Sequence, residues 1–138
     1  MPGTTTYSSF GVAVVIRTLP NDESKRTKQH KNSPYFTPDA INYIINQFPR
    51  IQHLLVDLPS LDREQDNGTL LSHCAFWEFD KNNQQSKTKL SEKLITELCY
   101  IPNEIVDGYY FLDLHLTPLH MDAVPSRPLL YPIIYSKK

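Results

Sequence analysis

The apolar residues of this chain cluster in blocks whose internal spacing changes along the sequence. Residues 10–17 (FGVAVVIR) are almost continuously apolar and rich in β-branched side chains, the pattern of a buried strand. Residues 18–35 are polar and hold Pro20, Asn21, Asp22, Asn32, Ser33 and Pro34, which predicts a long loop of the kind that is usually functional or mobile. In the stretch TPDA that follows, Thr37 suits a helix N-cap, Pro38 the first helical position and Asp39 the positive end of the helix dipole. Ile41, Ile44, Ile45 and Phe48 then recur at helical spacing, so one face is buried, and Pro49 ends the helix. Residues 53–58 form a second apolar strand. A strand, a helix and another buried strand make a βαβ unit, which implies a parallel pair covered by a helix.

The second half is less regular. LPSLDREQDNG is a turn-rich loop, and residues 70–79 (LLSHCAFWEF) place Leu70, Leu71, Cys74 and Trp77 at the spacing of a short helix. Residues 81–89 (KNNQQSKTK) are a polar insertion. Apolar segments follow at residues 94–101, 109–116 and 129–135. The middle one alternates and reads as a strand, and Pro132 makes the last an edge strand or irregular. The tyrosines at 109, 110, 131 and 135 are read as sheet residues. The expected architecture is α/β, a single domain over residues 1–138.

Composition narrows the function classes. With 40% hydrophobic residues in 138, the chain can bury a core, yet no apolar run approaches the ~20 residues of a spanning helix. A net charge of −1 argues against nucleic acid or an anionic membrane as partner. The basic stretch at residues 25–31 (KRTKQHK) is interrupted by Thr27 and Gln29 and reads as a solvated loop. Cys74 and Cys99 belong to no CxxC pair, which excludes a thioredoxin-type motif and a standard zinc finger. Two free thiols fit a reducing compartment, and MPGTTTYSSFG lacks the features of a secretory signal, so a cytoplasmic location is expected.

Three places bear residues capable of chemistry. In VDLPSLDRE, Asp57 stands at the carboxyl end of a parallel strand, where α/β folds place their sites, although turn chemistry alone explains Pro59, Ser60 and Asp62. His73 lies among aromatic residues, as a hydrogen-bonded core histidine or as a ligand. Glu97, between Ile95 and Leu98, would be costly to bury unpaired, a cost that a metal, a cation or exposure to water would each remove. His115 and His120, five residues apart, match no metal motif and read as surface residues, and Asp122 and Arg127 are placed to pair within a tight loop.

Taken in order, HLLVDLPSLDRE, NGTLLSHCAFW, LITELCYIPNEIVDGYYFLDL and TPLHMDAVPSRPLLY resemble the C-terminal part of the cyclase family of metal-dependent hydrolases. That family includes bacterial kynurenine formamidase and isatin hydrolase. The resemblance covers about residues 12–135 and includes VIRTLPND and SPYFTPDAINYI. It implies part of a swivelling β/β/α domain, with a mixed sheet and flanking helices. It further implies a small-molecule amide or formamide substrate, as in tryptophan catabolism, and a zinc or manganese ion that activates water. SHC stands where the family has Ala-His-His, so His73 maps to a metal ligand, Glu97 maps to the later carboxylate ligand, and Cys74 replaces the second histidine. The same resemblance makes VDLPSLDRE a site-rim loop, with Asp62 and Arg63 on it, and puts the loop of residues 18–35 at the substrate entrance. The family's H-x-G-T-H-x-D signature is absent: no His-x-x-x-His occurs in the chain. Two ligands predict weak or no metal binding and no activity by the chain alone, unless a separate N-terminal segment supplies the others. No catalytic residue is assigned. A homo-oligomer is a further expectation, and a non-catalytic remnant or interaction module is the alternative.

Overall fold

The computed structural model describes residues 12–27, 32–83 and 91–134. They fall into two compact units, divided between Tyr100 and Ile101. The first unit is built on a three-stranded sheet in the order β1-β2-β3, with β1 Ala13–Ile16, β2 His53–Val56 and β3 Leu94–Thr96. All pairs are parallel: Val14 lies beside Leu54 and Leu54 beside Ile95. The parallel pairing of the first two strands is thus as the βαβ pattern requires.

Helix α1, Pro38–Gln47, connects β1 to β2. The Thr37 side chain accepts from the Ala40 N–H at 3.2 Å, and Pro38 sits in the first turn, where its missing N–H costs nothing. Ile41 is fully buried, and Ile44, Ile45 and Phe48 pack against the core formed by Ile51, Leu54, Val56, Leu58, Leu61 and Phe76. Helix α2, Leu71–Trp77, follows β2 and packs beside α1. β2 is the most buried strand because both its edges are paired, whereas β1, read from sequence as buried, is half-exposed.

Two sequence expectations for this unit need correction. The stretch from Thr18 is not all loop: Glu23–Arg26 form a turn of 3-10 helix capped by Asp22, whose side chain accepts from the Ser24 N–H. Lys25, the first residue of the basic stretch, is not solvated. Its ammonium donates at 2.6 Å to Asp57 Oδ2 and at 2.6 Å to the Thr18 carbonyl. Residues 57–62 form an enclosed loop, with Leu58, Leu61 and Asp62 buried with Asp57. Residues 28–31 and most of the polar insertion, from residue 84, lie outside the described residues.

The second unit contains β4, Tyr110–Leu116, and β5, Ser126–Pro132, paired antiparallel. The antiparallel pairing is therefore confined to its own two-stranded sheet among the described residues, where a single mixed sheet was expected. The short connection between β4 and β5 permits only the antiparallel arrangement. Arg127, expected to pair with Asp122 in a loop, is instead a β5 residue opposite His115, while Asp122 accepts from the Ala123 N–H. Tyr110 and Tyr131 are sheet residues as read, Tyr109 lies just before β4 and not in it, and Tyr135 lies outside the described residues.

Candidate functional site

The first unit brings Asp62, His73 and Glu97 together from three segments. Asp62 lies in the loop after β2, His73 on α2, and Glu97 directly after β3. The His73 ring stands between two carboxylates: Nδ1 is 2.6 Å from Asp62 Oδ2, and Nε2 is 3.3 Å from Glu97 Oε1. All three side chains are largely enclosed, with 6% of Asp62, 12% of His73 and 28% of Glu97 exposed.

Each carboxylate is itself held. Asp62 Oδ1 accepts from the Ser72 N–H at 2.7 Å, and Oδ2 accepts from the His73 N–H at 3.2 Å as well as facing the ring. These amides belong to the first turn of α2, whose own cap residue, Leu70, offers no side-chain bond and adopts a left-handed conformation (φ 48°). Asp62 thus replaces a local cap from ten residues away. Glu97 Oε1 accepts from the Leu61 N–H at 2.8 Å, one residue before Asp62. The Ser72 hydroxyl donates to the Phe36 carbonyl, and the Trp77 ring lies 5.2 Å from the His73 ring.

This geometry constrains protonation. A neutral imidazole has one N–H, so it satisfies one of two flanking carboxylates and turns a lone pair towards the other. The second contact therefore calls for a second proton, on the ring or on a carboxyl, or for a cation in its place. Burial opposes the charge on His73, but the Glu97 and Asp62 carboxylates outweigh it and hold the imidazolium above the usual histidine range. Burial also pushes Asp62 upwards, yet the bonds from the His73 ring and from the Ser72 and His73 amides leave its carboxyl below the usual aspartate range.

The 3.3 Å between His73 Nε2 and Glu97 Oε1 is a hydrogen-bond separation, and it is also one at which both could act as ligands. Two ligands ~2.1 Å from a tetrahedral ion lie about 3.4 Å apart, close to the 3.3 Å between His73 Nε2 and Glu97 Oε1. Asp62 would then orient the imidazole through its other nitrogen, the usual second partner of a ligating histidine. Among the described residues no group of three or more His, Cys, Asp and Glu side chains is arranged to hold a metal. Cys74 does not extend the pair. Burial and the charge of Asp62 raise its thiol pKa, against the opposing charge of Lys81, so the thiolate that binds metals is disfavoured.

Arg63 points elsewhere: it is exposed, bonded to the Tyr35 hydroxyl, with its guanidinium 4.7 Å from the Tyr35 ring centre. A second polar cluster, not assembled by sequence reading, lies at the end of β2. Asp57 Oδ2 accepts from the Thr18 N–H at 2.9 Å and from Lys25, and Oδ1 accepts from the Thr18 hydroxyl. Near it, burial followed by the charges of Asp57 and Glu97 pushes the Cys99 thiol up to about 11. The chain matches no family model, and no curated protein matches it.

Proposed function

We propose that this chain carries part of the site of a metal-dependent hydrolase of amides or formamides, of the arylformamidase kind suggested by its resemblance to the cyclase family. The observation that supports the reading best is the His73 ring between two fixed carboxylates. In this reading His73 Nε2 and Glu97 Oε1 hold a divalent zinc or manganese ion, and Asp62 fixes the ring orientation through Nδ1–H. When bound, such an ion lowers the pKa of a water and polarises the substrate carbonyl. Three contacts support this reading: the Leu61 amide holds Glu97, Asp62 holds His73, and the Trp77 ring lies beside the imidazole. The proton on Nε2 must leave as the cation enters, so binding releases a proton and strengthens with rising pH.

Two protein ligands are too few for tight binding, so in this reading a separate segment would have to supply the others. Calorimetric titration of the purified chain with zinc or manganese is expected to give weak binding, abolished by His73→Ala, without turnover of N-formylkynurenine. Tight binding that survives His73→Ala would refute the ligand assignment. Metal-dependent turnover by the chain alone would refute the need for further ligands. A second, non-catalytic reading is supported by the same geometry, since a protonated His73 satisfies both carboxylates and ties three segments together without a metal. Proton release on titration distinguishes the two.

A further inference from the structure

Strand β3 leaves its sheet irregularly, and it does so at Glu97. Leu94 lies beside His53 and donates to the Gln52 carbonyl at 2.8 Å. In a regular parallel ladder of this register every second N–H of β3 points at β2, so the residue 98 N–H falls on Val56 O. Here the donor to Val56 O is instead Cys99, at 2.9 Å, and the Leu98 N–H turns aside to Leu58 O at 2.8 Å. The chain has inserted one residue more than the ladder uses, which is a β-bulge. Leu98 makes the bulge with a φ of 58°, in the left-handed region that a residue bearing a Cβ enters at a cost. Its side chain is 58% exposed, so burial does little to offset that strain.

The bonds on either side of the bulge show what the strain maintains. Ile95 packs against the core that contains Phe76 of α2, and Glu97, two positions on, continues on that face, towards the helix that carries His73. Glu97 Oε1 accepts from the Leu61 N–H at 2.8 Å, while the Leu98 N–H, turned out of the ladder, holds the Leu58 carbonyl. These two bonds clasp the loop after β2 at both ends of residues 58–61, and Asp62 is the next residue. We propose that Leu98 is a positioning residue for the His73 site: its left-handed backbone fixes the loop that delivers Asp62 against the strand end that delivers Glu97, so that both carboxylates meet the imidazole. The inference rests on the ligand-pair reading only where metal is concerned, since the proton-bridged arrangement needs the same alignment.

The test reads the Leu61 amide by NMR in the full chain, with Glu97→Ala as the reference for an amide without its carboxylate. Valine is β-branched and resists the left-handed region, whereas glycine and asparagine enter it readily. Leu98→Val is expected to move the Leu61 amide resonance to the reference position and to speed its exchange by about tenfold. Leu98→Gly and Leu98→Asn should keep the resonance where the unsubstituted chain has it. Leu98→Gly should also raise the folding equilibrium constant about two- to fivefold, as the strain relieved exceeds the entropy glycine adds to the unfolded chain. A Leu61 amide unchanged in Leu98→Val overturns the inference, because the bulge would then be local strain and nothing more. A Leu98→Gly chain no more stable than the unsubstituted one also overturns it, and decides the matter if Leu98→Val does not fold. Zinc titration separates this from the ligand assignment: Leu98→Val should lose the weak binding that Leu98→Gly keeps. An unsubstituted chain that binds no zinc refutes the ligand pair, while the Leu61 amide still decides the role of Leu98.

Discussion

His73 is held by charge on both sides, and that sets how it responds to substitution and pH. His73→Ala leaves Asp62 and Glu97 enclosed without the cation between them, and is expected to cost about 1–3 kcal/mol in urea unfolding, the range for stranding enclosed polar or charged partners that keep some access to water. Because the folded-state pKa of His73 is raised, its contribution is fully present below the unfolded value of 6.5 and is lost as pH rises through the higher folded value. Because that of Asp62 is lowered, its contribution is present above the unfolded value of 3.8 and is lost as pH falls through the lower folded value. The stability difference between the chain and His73→Asn should thus peak between about pH 4 and 6.5 and shrink on the alkaline side. A difference that grows above neutrality would contradict the imidazolium bridge. Cys99, with its thiol near 11, should resist alkylation at neutral pH relative to an exposed thiol.

At the scale of elements, the parts readable from sequence are those whose cause is local. Thr37 caps α1 within three residues, and Thr37→Ala is expected to lower stability by about 1 kcal/mol. The apolar periodicity of Ile41, Ile44, Ile45 and Phe48 depends on nothing outside the helix. The site residues differ: Asp62 reaches Ser72 and His73 across ten and eleven positions, and Glu97 reaches Leu61 across 36. No spacing rule links such positions. The resemblance singled out His73 and Glu97 and put Asp62 at a site rim, but it assigned Asp62 no cap and no imidazole to orient. Lys25 and Asp57, 32 apart, escaped for the same reason, and a lysine in a polar stretch reads as solvated. Asp57→Ala should cost about 2–4 kcal/mol, since it strands the Lys25 ammonium, and should speed proteolysis within residues 18–35 as the loop loses its tether.

At the scale of the molecule, the two units differ in how they are held. The first is tied across three segments by the Asp62, His73 and Glu97 contacts, and among the described residues the second is a two-stranded antiparallel sheet. No helix of the described residues is long and apolar enough to cross a membrane.

The remote cap on α2 also dictates when that helix can form. A seven-residue helix without a local cap is far below the length at which helices persist alone, and its N-terminal amides wait for a carboxylate delivered by the loop after β2. That loop is itself in place only once β2 has joined the sheet. Helix α2 should therefore consolidate after the folding barrier, not before it. Ala75→Gly, which penalises the helix, is expected to accelerate unfolding and leave the refolding rate nearly unchanged in a chevron measurement, whereas Leu54→Ala in β2 should slow refolding.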